Sequence, residues 1–217
     1  MTAAVTRPLL TPDAATVLID RASWRLYELI LEESAGQHVR ITFCDGRLEL
    51  MSPQSEYEKW KKVIGGVIEA IAVERGLSIA PMGSVTLRRK DLHRGLEADE
   101  CYYVGAGERV WRKKRIDLRR DPPPDLVVEI DITHHALDRE EIYARLGVPE
   151  VWRFDGKRVE MLRLAGGAYA AGRVSGAFPF LRAAALARFL KATAKDYTQG
   201  VRAVRDWARE QTGEAKG

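Results

Sequence analysis

The chain has 217 residues, 46% hydrophobic and 30% charged, with a net charge of +4 and an isoelectric point near 9.1. That is enough chain for one domain with a sizeable core, and its balance of residues excludes a disordered or fibrous class. Two cysteines, Cys44 and Cys101, without CxxC spacing, exclude a disulfide framework and a structural zinc site and point to a reducing compartment.

Residues 1–20 read as a flexible arm: its apolar stretch is broken by Pro and Asp, which makes a poor signal peptide. Ser23 is placed to cap a helix through WRLYELILEES, with Gly36 closing it. HVRITFCDGRLELMS alternates around Asp45-Gly46, the strongest short-range hairpin signal in the chain. SEYEKWKKVIGGVIEAIAVERG then sets Trp60, Val63, Ile64, Val67, Ile68 and Ile71 on one helical stripe that ends at Gly76. Strands are expected at 84–89, 98–104 and 125–132, and a helix at 137–147. VPEVWRFDG and KRVEMLRLAGGAYAAGRV read as antiparallel strands turning at Asp155-Gly156 and Gly166-Gly167. Trp152 and Phe154 are packing residues there. Two helical stretches close the chain. No apolar run approaches the roughly 20 residues a bilayer requires, so a cytoplasmic location is expected. The pattern is a mixed α/β domain: a central sheet flanked by helices over 21–180, then a helical C-terminal extension over 181–217.

The stretch PPPDLVVEIDITHH (122–135) carries Asp125, Glu129 and Asp131 inside an otherwise apolar strand. Unpaired buried charges cost several kcal/mol, so something must neutralise them. Alternation puts Asp125, Val127, Glu129 and Asp131 on one face. Glu129 and Asp131 then lie about 6.6 Å apart, with Asp125 at the strand entrance. Carboxylates without sulfur ligands suit a hard cation such as Mg²⁺ or Mn²⁺. Pairing with Arg and Lys from neighbouring elements, or exposure to solvent, would serve equally well.

GLEADECYYV adds Asp99 at a strand start upstream. An acid on one strand, a second on the next and a basic residue nearby resemble the PD-(D/E)XK nuclease superfamily. More specifically, LEADECYYV, PPPDLVVEIDIT and LDREEIYARLGVPEVWRFDG together are similar to the Uma-two family of restriction-endonuclease-like proteins, over roughly residues 25–165. The resemblance implies a restriction-endonuclease-like fold, a DNA substrate, and Mg²⁺ or Mn²⁺ as cofactor. It matches Asp99 and Glu129 to the metal-binding acids, with Asp131 a further candidate. Nucleases that cut both strands are often dimers, which makes a homodimer an open expectation.

The residue two beyond Glu129 is Asp131, so the lysine cannot come from the strand. The resemblance to the family implies that the basic residue lies on the following helix. The matching position is Arg139, four before Tyr143. Arginine stays protonated and cannot serve as a general base, although it can stabilise developing charge. A protein that binds nucleic acid or a partner through the same fold, with little or no catalysis, is the alternative.

Glu58 in the long helix reads either as a further site acid or as a surface acid. His134 and His135 face opposite ways and read as loop residues rather than ligands. The basic runs 88–94 and 112–120 flank the Asp99 strand and read as a solvated face or as phosphate contacts. Tyr102, Tyr103 and Trp111 read as core or as base-stacking rings.

Overall fold

The computed structural model describes residues 9–10, 15–53, 55–105, 108–113, 115–132 and 135–211. In chain order the first elements are β1 (Leu9–Leu10), β2 (Ala15–Ile19), α1 (Trp24–Glu33), β3 (Arg40–Cys44), β4 (Arg47–Met51) and α2 (Ser55–Glu74). Then come β5 (Ile79–Gly83), β6 (Thr86–Arg89), β7 (Arg94–Glu97), β8 (Glu100–Val104), α3 (Glu108–Trp111) and β9 (Leu126–Ile130). The chain continues through α4 (Arg139–Leu146), β10 (Glu150–Phe154), β11 (Val159–Ala165), β12 (Ala168–Gly172), α5 (Ala183–Lys195) and α6 (Tyr197–Glu210).

Local chemistry sets several of these boundaries. The Ser23 hydroxyl accepts the Leu26 N–H at 3.1 Å and starts α1. Asp45 and Gly46 both take positive φ and turn β3 into β4. Asp155 accepts the N–H groups of Lys157 and Arg158, which fixes the turn from β10 into β11. Asp125 accepts the Val104 N–H at 2.7 Å, at the entrance of β9.

The strands form two sheets. In one, order β12-β11-β10-β9-β8-β5, β9 runs parallel to β10 and antiparallel to β8. Every residue of β9 is buried, as expected for a strand covered on both faces. This is the central mixed sheet that the acidic strand implied, and β8 is its neighbour as expected. The second sheet, order β1-β2-β4-β3-β7-β6, is antiparallel. Its β2 falls inside the stretch expected to be a flexible arm: residues 15–19 pair with β4 over four positions, Thr16↔Met51 to Ile19↔Leu48. Residues 1–8 and 11–14 of that arm lie outside the described residues.

On one face of the central sheet, Val63, Ile64, Val67, Ile68 and Ile71 of α2 pack with Val128, Ile130, Trp152 and Phe154, joined by Phe189 and Leu190 of α5. On the other face, Ile142, Tyr143 and Leu146 of α4 pack with Cys101, Val127 and Val151, together with Leu87 and Leu96 from the second sheet. That second core joins the two sheets around α4. A smaller cluster anchors α1 on β3 and β4. Gly95 permits it, since a Cβ there would lie 2.4 Å from the Tyr27 hydroxyl. Among the described residues no helix is long and apolar enough to cross a membrane.

Candidate active site

Register explains how the acids meet. Glu100 pairs with Val128 and Cys101 with Val127, and continuing that ladder sets Asp99 opposite Glu129. Asp99 is 1% exposed and its Oδ2 accepts the Ile130 N–H at 2.7 Å. Its Oδ1 accepts no hydrogen bond among the described residues, although Arg40 Nη1 stands 3.5 Å away. Burial and the neighbouring charge of Glu129 push the Asp99 carboxyl well above the usual carboxylate range, against the pull of Arg40 and Arg139.

Arg139 opens α4, whose N-terminus is capped by Asp138 accepting the Glu141 N–H at 3.0 Å. Its side chain turns inward and forks onto Glu129, with Nε to Oε2 at 2.6 Å and Nη2 to Oε1 at 2.9 Å. Nη1 donates to Thr42 Oγ1 at 3.0 Å and Nη2 to the Glu97 carbonyl at 2.7 Å. Tyr143, one turn further along α4, donates its hydroxyl to Glu129 Oε1. Burial disfavours the charged guanidinium, but Glu129 beside it outweighs this and holds Arg139 well above its ordinary value. Burial and the Glu129 charge likewise raise the Tyr143 hydroxyl.

The acidic strand therefore finds cationic partners in its own fold. Glu129 is paired with Arg139, and Asp99 lies beside Arg40, itself only 5% exposed. Arg40 is held by Glu97 Oε1 at 3.0 Å and the Ala98 carbonyl at 2.9 Å. It lies 4.0 Å from Glu58, so that helix acid is at the edge of the cluster. Lys61 of α2 donates to Ser84 Oγ at 2.6 Å, and Ser84 in turn donates to the Asp99 carbonyl at 3.2 Å.

A cavity of about 250 Å³ opens beside Glu129, lined by Asp131, His135, Arg139, Tyr143 and Arg153 among others. Asp131 reaches this cavity, where its charge acts on Glu140 and Arg153. His135 meets Glu49 of β4 at 3.1 Å from Nδ1. Glu49 is 1% exposed and also accepts the N–H groups of Ala136 and Leu137. His134 lies outside the described residues. Arg40, Thr42, Glu49 and Glu97 are the site residues that sequence reasoning missed. They sit on β3, β4 and β7, far along the chain from their targets, with no local signal.

The basic runs are neutralised only in part: among the described residues Lys90, Arg112, Arg115 and Arg120 form no ion pair. Arg89 pairs with Asp91 at 2.6 Å, Arg94 with Asp45 and Glu141, Lys113 with Asp121, and Arg119 with Asp117 at 3.1 Å. Lys114 lies outside the described residues. Tyr102 and Tyr103 are both buried, while Trp111 is 59% exposed.

A mixed sheet carrying an acid at the start of one strand and a second acid within the next, with helices on both faces and at the C-terminus, defines a restriction-endonuclease-like protein. The comparison with family models agrees. Residues 24–192 match the Uma2 family, described as "Putative restriction endonuclease", and the chain belongs to that family. No curated protein matches the chain.

Proposed function

We propose that this protein is a divalent-metal-dependent DNA endonuclease whose centre is the Asp99–Glu129 pair. The observation that carries the reading is the buried Asp99 Oδ1, which accepts no hydrogen bond although it stands beside a second carboxylate on the neighbouring strand. Among the described residues no group of three or more His, Cys, Asp and Glu side chains converges as a metal site. Mg²⁺ needs fewer, because it keeps several waters and is commonly held by one or two carboxylates plus substrate phosphates. Asp99 Oδ1 and the remaining lone pair of Glu129 Oε2 fit that donor set, with Asp131 in the adjoining cavity as a further oxygen donor. When bound, the ion supplies an activated water and stabilises charge on the phosphoryl oxygens.

The protein's own groups do the rest. Arg139 holds the Glu129 carboxylate in one orientation and brings a permanent positive charge toward the phosphate. It takes no proton. Tyr143 donates to Oε1 of the same carboxylate, beside Arg139 Nη2. Cleavage of both strands needs two such centres at one duplex, which favours a homodimer on DNA.

One observation favours a second reading, a protein of the same fold that binds nucleic acid or a partner without cutting. Both oxygens of Glu129 are already engaged by Arg139, and one of them by Tyr143 as well.

Cleavage of supercoiled and linear DNA in Mn²⁺, against an EDTA control, separates the two. The endonuclease reading predicts Mn²⁺-dependent nicking that Asp99→Asn abolishes. It also predicts that Arg139→Ala slows nicking by roughly 10² or more, as for loss of a charge-stabilising donor, whereas Arg139→Lys retains or raises it. Equal, metal-independent background from all variants leaves the binding reading.

A further inference from the structure

A second recess lies on the opposite face of the central sheet, between α2, the end of β10 and α5. It is a groove of about 560 Å³ lined by Trp60, Phe154, Lys157, Arg188, Leu190 and Lys191 among others, with no acidic side chain in its lining. Its floor is aromatic: the Trp60 and Phe154 rings meet edge to face with centroids 4.6 Å apart. Its rim is cationic. Arg188 and Lys191 are three apart on α5 and share a helical face, and Lys157 projects from the turn after β10.

These three cations are exposed. Among the described residues none forms an ion pair, and Arg188 only overlies the Phe189 ring at 5.2 Å. The nearby Asp155 is turned onto backbone, accepting the Lys157 and Arg158 N–H groups. In the basic runs at 88–94 and 112–120, five of the nine described Lys and Arg side chains, Arg88, Arg89, Arg94, Lys113 and Arg119, are spent on acids. The sparser cations around this groove keep theirs.

The groove also adjoins the candidate centre. Phe154 pairs with Ile130, the residue after Glu129, and follows Arg153, which lines the acidic cavity. Trp60 neighbours Lys61, which reaches the Asp99 carbonyl through Ser84. Groove and cavity thus meet the same strand ends from opposite faces.

We propose that this groove binds a single-stranded or locally unpaired segment of DNA, its phosphates on Lys157, Arg188 and Lys191 and a base against Trp60. The proposal rests on DNA as the substrate, argued above. Free cations suit phosphates, and an indole face suits any unpaired base. A duplex hides its base faces, and an acidic peptide would use the rim but leave the aromatic floor uncovered.

The test is fluorescence anisotropy of a labelled single-stranded oligonucleotide, in EDTA so that no cleavage intervenes, across a range of salt concentrations. Replacing Lys157, Arg188 and Lys191 together by Ala should weaken binding at least tenfold. It should also flatten the log–log salt dependence by about 2, at roughly 0.7 per phosphate contact on a single strand. Trp60→Phe, which keeps a ring on Phe154, should remove the quenching of intrinsic fluorescence by the oligonucleotide. Wild-type binding with an unchanged slope in the triple variant overturns the groove while leaving DNA as the substrate. Displacement of the oligonucleotide by polyglutamate at matched charge overturns the nucleic-acid assignment in favour of an acidic peptide. Failure of the wild type to bind any single strand also overturns the groove, and duplex cleavage in Mn²⁺ then decides separately whether the endonuclease reading survives.

Discussion

The Arg139 guanidinium closes a two-point fork on the Glu129 carboxylate, at 2.6 and 2.9 Å, in surroundings that leave neither side chain more than 7% exposed. Removing one partner of such a buried pair leaves the other charge without compensation, at a typical cost of roughly 3–5 kcal/mol. Arg139→Ala is therefore expected to lower stability by that amount. Arg139→Lys keeps the charge but loses the fork and the bonds to Thr42 and Glu97, so it should fall between the two. Urea unfolding of the three proteins measures this. A change below about 1 kcal/mol for Arg139→Ala would mean that solvent reaches Glu129.

Glu49 gives the fold a pH dependence on the acid side. Burial alone would raise its carboxyl, but the hydrogen bond and charge of His135 and the Ala136 N–H outweigh it, so the group sits below its ordinary 4.5. A carboxyl lowered on folding contributes stability above its unfolded value and loses it as pH falls through the folded value. Glu49→Gln should cost about 1–3 kcal/mol at pH 7 and progressively less below about pH 4.5. Urea midpoints at pH 7 and pH 4 test this. An identical cost at both pH values would show that the charge of Glu49 plays no part.

The two C-terminal helices touch closely at Gly200, where a Cβ would lie 2.3 Å from the Thr193 Cα. Backbone cannot yield as a flexible side chain can. Gly200→Ala is expected to destabilise by roughly 1–3 kcal/mol through overpacking, despite the better helix propensity of Ala. Thermal unfolding reads it, and a neutral or stabilising effect would contradict this packing of α5 on α6.

Much of the centre was legible because its signals are local. The short apolar run in DLVVEIDI defines β9, and the spacing of Arg139 and Tyr143 places both on the face of α4 that meets Glu129. What stayed hidden depends on long-range contacts. Arg40 reads as one polar residue on a hairpin strand, and its bond to the Ala98 carbonyl spans 58 positions. β7, with Gly and two charges in four residues, shows no alternation, and only its pairing with β3 and β6 makes it a strand. β2 is held as a strand by its pairing with β1 and β4. The pairing of some cations in the basic runs could not be read from the sequence because the acids they meet are distant, such as Glu141 on Arg94.

The most direct test of the shared centre reads metal binding without requiring cleavage. In EDTA both wild type and Asp99→Asn should unfold cooperatively, since Asn keeps the shape of the side chain. Mn²⁺ at about ten times its dissociation constant should stabilise the wild type by roughly 1.4 kcal/mol, or about 3–6 °C in Tm for a chain of this size. Asp99→Asn should show little or none of that shift. An equal Mn²⁺ shift in both proteins, or none in the wild type, would contradict a divalent-ion centre at Asp99 and Glu129.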